Sequence, residues 1–408
     1  MLNPLTSVSN QISNNIILKI QKAIREEHID GWLFCNFRHR DRLSDQILFR
    51  PETLTNSRFW FYLVPASGEP LALVHTIEPD HLDSLPGKKQ SYAGREELLK
   101  FFATLSGKII AVHMSENIST ISFLDAGVYI ALSGAGVRLV GAENLIQRFK
   151  GLLSREGIAS HERAASALYS IVEKVWDFVC TSYIDGRNLN EREIRELMED
   201  EFTRLDMERD HPPQAAAGMN SANPHYDFTG NGRAIEEGDI IQLDLWAKEK
   251  NPGAIYADIA WAGVYGKKAR NDTEKRFSDL VEIRETLLDF LTASFAEEKK
   301  AGAVLTGAEI DAYCRSLLYA KGYGNVIKHR TGHGIDTEAH GSGANIDSAE
   351  FPDNRRLLEG SCFSIEPGIY FTGYGFRTEV NVYIQDGRPR VSGPGAVKQG
   401  RQFKLLHC

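Results

Sequence analysis

The stretch that decides the fold is IIQLDLWAKEKNPGAIYADIAWAG, residues 240–263, in which two apolar runs flank a turn-forming NPG. Side chains alternate between the two faces of a strand. The pattern therefore predicts two strands that each bury an apolar face. Each run nevertheless contains an acidic residue, Asp244 in the first and Asp258 in the second. Both carboxylates are predicted to project from the opposite, more polar face.

Two more acidic residues lie in apolar strand-like segments nearer the C-terminus. Glu366 lies in CFSIEPGIYF and Glu379 in GFRTEVNVYI. A buried carboxylate is costly unless it is paired or bound to a metal ion. Any one of the four acids alone has an equally simple interpretation as a strand-end or edge residue. Together with His333 of HRTGHGI, however, they predict a site for two divalent metal ions, whose charges balance those of the four carboxylates.

The donor set indicates the kind of metal. Carboxylate oxygens with one imidazole nitrogen and no thiolate favour Mn²⁺, Co²⁺, Fe²⁺ or Zn²⁺ over a soft-metal ion. Three other histidines accompany the set: His329 four residues before His333, His340 seven residues after it, and His225 in NPHYDF. A single histidine is usually structural. Three beside a metal set are interpreted as substrate or outer-shell groups.

Composition excludes several classes of function. The chain has 408 residues, 42% hydrophobic and 25% charged, which predicts a globular protein of two or three domains. Its net charge of −8, without a basic stripe, argues against nucleic-acid binding. No apolar run reaches the roughly 20 residues that cross a bilayer, and no signal peptide is recognised at the N-terminus. The five scattered cysteines predict reduced cytoplasmic thiols, with Cys408 a free terminal thiol.

The chain is expected to form two domains, 1–155 and 156–408. The first alternates helix and strand, with a clear hairpin in RFWFYLVPASGEPLALVH, and is predicted to be an α/β domain. In the second, helices and strands are segregated, which predicts an α+β domain. Capping boxes at Asn190 with Glu193 and at Thr306 with Glu309 predict two helix starts there.

The ligand order Asp, Asp, His, Glu, Glu, together with GHGI, IEPGIY and FRTE, is a specific pattern. With it the chain from roughly 160 to 408 resembles the pita-bread metallopeptidases, which include aminopeptidase P, prolidase, methionine aminopeptidase and the metal-free creatinase. An N-terminal α/β domain of this size is similar to that of aminopeptidase P, prolidase and creatinase. Methionine aminopeptidases lack it. The resemblance implies a creatinase-like two-domain protein, a homodimer, with a pita-bread catalytic domain.

The resemblance also implies how the metal ligands are shared. Asp258 and Glu379 would bridge two divalent ions, Mn²⁺ first and Co²⁺, Zn²⁺ or Fe²⁺ as alternatives. Asp244 would hold one ion, and His333 with Glu366 the other. Glu366 is implied as the general base, acting on a metal-bridging hydroxide.

Four accessory residues take implied roles as well. His225 and His340 would shuttle protons or stabilise the tetrahedral intermediate. His329 would line the substrate pocket, and Arg377 would position Glu379 or contact the substrate. The substrate would be a peptide with proline at its second position, whose amide nitrogen carries no hydrogen and whose ring fixes the backbone. The implied enzyme is an Xaa-Pro aminopeptidase or an Xaa-Pro dipeptidase.

Departures from the family pattern leave the substrate preference open. KEKNPG is inserted between Asp244 and Asp258, IAWAG follows Asp258, and GSG follows His340. Two alternatives stay open: a non-catalytic pita-bread binding protein, and a metallohydrolase acting on another substrate, by methionine removal or phosphoester-type hydrolysis. The basic segment FRHRDR, residues 37–42, is either a solvated loop or a group that reaches a partner subunit's cleft.

Overall fold

The computed structural model describes residues 4–49, 54–270, 272–301, 305–393 and 401–408. The chain divides into two compact units, Met1–Lys150 and Gly151–Cys408. Within the described ranges, none of the helices combines the length and the apolar character that a bilayer crossing requires.

The first unit contains one six-stranded sheet in the order β4-β3-β2-β1-β5-β6. Its strands are β1 Gly31–Asn36, β2 Trp60–Pro65, β3 Leu71–His75, β4 Lys88–Tyr92, β5 Ile109–Val112 and β6 Arg138–Gly141. Its helices are α1 Pro4–Glu26, α2 Arg42–Ile47, α3 Arg95–Ala103, α4 Ala126–Gly134 and α5 Glu143–Ile146. Strands β1, β5 and β6 are parallel, whereas β2 runs antiparallel to β1 and β3. The predicted hairpin is therefore confirmed as β2–β3.

Alternate side chains of β1 enter two different cores. Trp32 and Phe34 pack in one cluster with Ile20 of α1. Leu33 packs in another with Phe102 of α3. Helices thus cover both faces of the sheet, which makes this unit a three-layer α/β domain, as expected from the alternation of helix and strand.

The second unit has four long helices and ten strands among its described residues. The helices are α6 Arg155–Ile184, α7 Glu191–Arg204, α8 Thr273–Ala301 and α9 Gly307–Ala320. The strands are β7 Met207–Glu208, β8 Gln214–Ala217, β9 Ile240–Glu249, β10 Ala257–Val264, β11 Cys362–Ile365, β12 Gly368–Phe371, β13 Tyr374–Arg377, β14 Val380–Gln385, β15 Arg388–Val391 and β16 Leu406–His407. Both predicted capping boxes are present, at the starts of α7 and α9.

The antiparallel pair β9–β10 is the centre of the second unit. It lies within a sheet of order β16-β10-β9-β7, with β8 also paired to β9. Smaller sheets contain β11-β14-β15 and β12-β13. On one face of β9–β10, Leu243, Leu245 and Ile259 pack with α6 and α7 in a buried apolar cluster. The opposite face carries the acidic side chains, as the alternation in the sequence predicts.

The sequence of residues 143–160 has helical apolar spacing, but the structure divides the segment into α5, a π-helical turn Gln147–Gly151 and the start of α6. Ser154 accepts a hydrogen bond from Gly157 N and caps α6, so the long helix begins at Arg155. The cap fixes a new helix start, which the apolar spacing alone does not reveal.

The prediction that Cys408 is a free thiol is wrong. Cys408 forms a disulfide with Cys180 on α6. The last strand, β16, pairs with β10 and brings the C-terminus beside this helix. A separation of 228 residues gives no local spacing by which the pair is recognised. Cys35, Cys314 and Cys362 are free and buried.

The basic segment after β1 is held by contacts within the first unit. The His39 and Asp45 side chains lie 2.7 Å apart, and Arg40 donates to Asp125 at 2.9 Å. Arg38 and His39 both have positive φ angles, 55° and 54°. These contacts hold part of the segment in place; whether it also binds a substrate carboxylate stays a hypothesis.

Candidate metal centre

Three of the predicted ligands form a compact buried cluster. One ligand atom from each of Asp258, His333 and Glu379 lies within 4.8 Å of the other two. Glu366 adjoins them, with its Oε1 atom 3.5 Å from His333 Nε2. Asp258 Oδ2 is also 3.5 Å from the same nitrogen. Residues from β10, from the loop after α9 and from the region between β11 and β14 thus converge on one point.

Asp258 is fixed through its backbone. Asp258 N donates to Asn381 Oδ1 at 2.8 Å, and Asn381 Nδ2 donates to Asp258 O at 2.6 Å. Because Asn381 lies on β14, these two hydrogen bonds link the β11-β14-β15 sheet to the sheet that contains β10, next to the Asp258 carboxylate. Glu379 N donates to Ala260 O at 3.3 Å beside this junction.

Two of the acids lie beside strands rather than within them, which corrects the expectation. Glu366 directly follows β11, and Glu379 lies between β13 and β14. Pro367 has no N–H to donate to a ladder, and Glu379 N donates to Ala260 O on β10, in a different sheet from β13 and β14. At strand ends both side chains are free to turn toward Asp258.

His333 and Glu366 are linked by Ser364. The Ser364 hydroxyl accepts from His333 N at 3.0 Å and donates to Glu366 Oε1 at 3.1 Å. Glu366 N in turn donates to Thr331 O at 2.7 Å. This approach requires glycine at 332, because a Cβ atom there would lie 2.0 Å from Ser364 O.

Asp244 lies beside the cluster and forms an ion pair with Arg377. Its Oδ2 atom accepts a hydrogen bond from Arg377 Nη2. Arg377 also approaches Glu366, with Nε 3.8 Å from Oε2, and donates to Pro224 O at 3.1 Å. The guanidinium therefore lies between Asp244 and the other carboxylates, and Arg377 contacts Asp244 rather than Glu379 directly.

Burial strongly perturbs these groups. Burial, with a smaller contribution from Asp210, raises the pKa of Asp258 to about 8. Burial and the neighbouring carboxylates raise the pKa values of Glu366 and Glu379 well above the usual range. Burial lowers the pKa of His333 to about 3, so its imidazole is neutral. A neutral imidazole is the form that binds a metal ion, and a cation beside the buried carboxyl groups would favour the ionised form that binds it.

Two orphaned oxygens test whether the residues fit a metal. Asp258 Oδ1 and Glu379 Oε1 are buried and accept no hydrogen bond from the described residues. Such atoms are costly to bury, and both belong to residues of the cluster that contains His333. The donor set, two unsatisfied carboxylate oxygens with a neutral imidazole and Glu366 adjacent, therefore fits a hard or borderline divalent cation.

The accessory histidines lie around the cluster at different depths. His340 packs its ring against His333, with centroids 4.2 Å apart. His329 contacts the Tyr370 hydroxyl at 2.8 Å, and burial lowers the pKa of His329 to about 4. His225 lies in an exposed turn, where its backbone N–H donates to Asn223. Its charge acts on both His329 and His340, which brings all three into one electrostatic environment.

Sequence reasoning missed the residues that hold the ligands in place. Ser364 is two residues from Glu366, and Asn381 is two residues from Glu379, so the alternation of side chains along each segment contains a usable indication. Asp311 of α9 accepts from both the backbone and the hydroxyl of Thr331, between His329 and His333. An acidic residue on a helix remote in sequence gives no such indication.

We expect the metal-free protein to lose stability as pH rises from 6.5 to 8. Asp258 has a folded-state pKa of about 8, above its unfolded value of about 3.9. The folded state therefore binds more protons in this window, and stability falls with pH. Glu366 and Glu379, whose pKa values are also raised, act in the same direction. The neutral buried imidazoles of His329, His333 and His340 act in the opposite direction and offset part of the loss, because an unfolded histidine is half protonated near pH 6.5. We predict a Tm about 2 °C lower at pH 8 than at pH 6.5.

Thermal unfolding of the chelator-treated protein at several pH values measures the slope of Tm against pH. Asp258→Asn removes one titrating carboxyl and is expected to make the slope shallower. Manganese added at pH 8 is expected to raise the Tm of the unmodified protein more than that of the variant. Equal slopes in both proteins would contradict the assigned perturbation of Asp258.

Comparison with known proteins identifies the family of the chain. The model of metallopeptidase family M24 matches residues 158–386, more than half of the chain. The Xaa-Pro dipeptidase of Lactobacillus delbrueckii subsp. lactis is 32% identical over 178 residues, which cover 42% of each protein. The first curated relatives are matched over only 42% to 48% of their lengths.

Solved structures share the fold over nearly the whole chain. Dipeptidase PepE from Mycobacterium ulcerans superposes with a TM-score of 0.71 at 20% identity and covers 98% of both chains. The N-terminal domain of the FACT complex subunit SPT16 from Cicer arietinum (chickpea) gives 0.65 at 13% identity, covering 93% of this chain and 95% of that one. At these identities the likeness concerns the fold alone.

The two-unit architecture, with a carboxylate and histidine cluster on its α+β unit, is that of the pita-bread proteins. The chain belongs to metallopeptidase family M24.

Proposed function

We propose that this protein is a divalent-metal-dependent peptidase that hydrolyses the bond between an N-terminal residue and proline. The observation that carries the proposal is the buried cluster of Asp258, His333 and Glu379, in which two carboxylate oxygens lack a hydrogen-bond partner among the described residues. A likeness to a protein named Xaa-Pro dipeptidase supports the substrate class.

The metal ligands in this proposal are Asp244, Asp258, His333, Glu366 and Glu379. Two bound ions, Mn²⁺ first and Co²⁺, Zn²⁺ or Fe²⁺ as alternatives, supply Lewis acidity that activates water at neutral pH and polarises the scissile carbonyl. Asp258 and Glu379 would be shared between the ions, because each has a buried oxygen that accepts no hydrogen bond from the described residues. Arg377 would release Asp244 when that carboxylate takes a metal.

Glu366 would act as the general base. Its Oε1 atom lies 3.5 Å from His333 Nε2, within the cluster, where the carboxylate could take a proton from the attacking water. The Ser364 hydroxyl and the backbone bond to Thr331 fix its orientation. Its carboxylate thus faces the cluster without having to move during the reaction.

The histidines would stabilise charge and deliver protons. His340 lies against His333, at the edge of the cluster, where it can donate to a developing oxyanion. His225, in the exposed turn, can exchange protons with solvent. His329 is held by Tyr370 and lines the proposed substrate pocket.

A second candidate function is binding without catalysis. The fold is shared with a domain of SPT16, and a fold does not by itself determine function. Retention of all five ligand residues, arranged around unsatisfied oxygens, favours catalysis. A metallohydrolase with another substrate is the remaining alternative, because the segments around Asp258 and His340 depart from the family pattern.

Hydrolysis of Gly-Pro and Gly-Pro-Gly tests the proposal. Protein stripped of metal is reloaded separately with Mn²⁺, Co²⁺ or Zn²⁺, and Gly-Ala-Gly serves as the control peptide. We expect cleavage only after reloading, and only of the proline peptides. Cleavage of the dipeptide alone identifies a dipeptidase, and cleavage of the tripeptide an aminopeptidase. If neither is cleaved while metal is bound, the Xaa-Pro assignment is wrong. We also propose a homodimer, which sedimentation measures directly.

A further inference from the structure

Arg284 is a buried arginine of α8 that the proposed chemistry does not use. Its side chain has no exposed surface, whereas its neighbours Ile283 and Leu287 belong to the apolar cluster between α8 and the sheets. A buried guanidinium group is costly unless its donors are bonded, and an apolar side chain of similar size would fill the same space without that cost. The partners of Arg284 therefore indicate what the charged group does there.

One partner is the carboxylate of the next residue, Glu285. Arg284 Nε donates to Glu285 Oε1 at 2.9 Å, and Arg284 Nη2 lies 2.7 Å from the same oxygen. The other oxygen of Glu285 accepts a hydrogen bond from Arg401 Nη1 at 2.7 Å. Two guanidinium groups thus share one carboxylate, which holds the head group of Arg284 in place.

The second partner is Thr378, in the connection between β13 and β14. Arg284 Nη1 donates to the Thr378 hydroxyl. Thr378 is itself fully buried, and it lies between Arg377 and Glu379 in the sequence. The bond therefore links α8 to the segment that carries one proposed metal ligand and the arginine that pairs with another.

Side chains of this segment alternate between α8 and the candidate metal centre. Phe376 and Val380 pack in the same apolar cluster as α8, and Thr378 bonds to that helix. Arg377 and Glu379 belong instead to the metal centre. The alternation is that of extended backbone, so Arg284 holds the segment from the side opposite the metal ligands.

Backbone hydrogen bonds hold the same segment less tightly. Thr378 N donates to Pro367 O and Glu379 N donates to Ala260 O, both at 3.3 Å. These bonds are longer than the usual length of about 2.9 Å. The bond from Arg284 to the Thr378 side chain is therefore an important restraint on the position of Glu379.

We propose that Arg284 is a positioning residue of the metal centre, which acts through Thr378 to fix the backbone from which Glu379 reaches the metal ions. The inference rests on the metal-dependent function proposed above. Because Glu379 is proposed to be shared between two ions, its displacement would weaken the binding of both. The same backbone carries Arg377, so one bond orients two side chains of the site.

Mn²⁺ titration of the metal-stripped protein and its variants tests this role. Arg284→Met removes the donors and keeps a long unbranched side chain, whereas Thr378→Val removes only the accepting hydroxyl. We expect Arg284→Met to raise the Kd for Mn²⁺ about tenfold, as is typical when a group that orients a ligand is lost. Thr378→Val should raise it in the same direction, and Arg284→Lys should restore part of the affinity.

A double variant shows whether the two residues act through one bond. Arg284→Met combined with Thr378→Val should raise the Kd by less than the product of the two separate effects, because both changes break the same contact. Independent, multiplicative effects would overturn the proposed action through Thr378.

Tyr323→Phe is the matched control for a general loss of stability. It also removes a buried hydroxyl bonded to α8, because Tyr323 Oη donates to Asp279 at 2.6 Å. Its Kd for Mn²⁺ should equal that of the unmodified protein at a temperature where circular dichroism shows both to be folded. If Arg284→Met does not fold, the comparison of Thr378→Val with this control decides the question. Unchanged affinity in Thr378→Val, or equal weakening in the control, overturns the role of Arg284.

Kinetics on Gly-Pro-Gly distinguish failure of this inference from failure of the proposed function. In Thr378→Val the Mn²⁺ concentration that gives half-maximal activity should rise by the same factor as the Kd, with KM for the peptide little changed. A raised KM with unchanged dependence on Mn²⁺ would overturn the role of Arg284. Absence of cleavage by the metal-loaded unmodified protein contradicts the peptidase proposal alone, because the titration needs no turnover. Absence of metal binding by the unmodified protein contradicts both.

Discussion

Replacement of Glu366 by glutamine is expected to lower kcat on an Xaa-Pro peptide by about 10³-fold or more, within the range general acid–base groups contribute. Glutamine keeps the shape of the side chain and can still accept the bond from Ser364. It cannot take up a proton, and its neutral oxygen is a poorer metal ligand. The change therefore separates the chemistry of the carboxylate from its packing.

Metal content and steady-state kinetics must be measured together. If the variant retains its metal, the loss in kcat reports the general base; if it loses metal, the loss reports the ligand role. Glu359→Gln is the matched control, because Glu359 is exposed and accepts from the backbone of the β14–β15 turn. A Glu366→Gln protein with full metal content and more than a tenth of the original kcat would contradict the role given to Glu366.

Replacement of Asp311 by alanine is expected to destabilise the protein by about 3–5 kcal/mol, the cost of leaving a buried charge uncompensated. Asp311 is fully buried and accepts from Thr331, Ser348 and Arg315. These hydrogen bonds lower its pKa in spite of burial. Without it, the Arg315 guanidinium and two hydroxyls lose their acceptor.

The same change is expected to weaken metal binding. Thr331 is two residues before His333, and its carbonyl accepts a hydrogen bond from Glu366 N. Release of Thr331 is therefore expected to loosen two proposed metal ligands, His333 and Glu366. Denaturant unfolding and metal titration provide the two readouts. Asp311→Asn, which keeps the shape, should be affected less. Asp200→Ala, on the exposed side of α7, should change stability by no more than about 0.5 kcal/mol. An Asp311→Ala protein as stable as this control would refute the interpretation.

Much of the site is predictable because it lies on strands of regular period. The alternation in 240–263 places Asp244 and Asp258 opposite the apolar face, and the structure has Leu243 and Leu245 in the core behind them. The helix starts at Asn190 and Thr306 follow from local capping chemistry. In each case the determining interaction spans only a few residues.

The remainder depends on contacts that cross the chain. Asn381 accepts a hydrogen bond from the backbone of Asp258, 123 residues away in sequence, and Cys408 forms a disulfide with Cys180, 228 residues away. Glu379 departs from its expected strand because its N–H crosses to β10. Such contacts arise only once the sheets have assembled, and no local period of the sequence encodes them.

Anomalous diffraction at the manganese edge from crystals grown with Mn²⁺ measures directly whether this cluster is a metal centre. We expect two peaks enclosed by the predicted ligands, Asp244, Asp258, His333, Glu366 and Glu379. We also expect that Arg377 no longer bonds to Asp244 when both ions are bound. Absence of any peak at this cluster under saturating Mn²⁺, or peaks only elsewhere, would contradict the assignment of a metal centre.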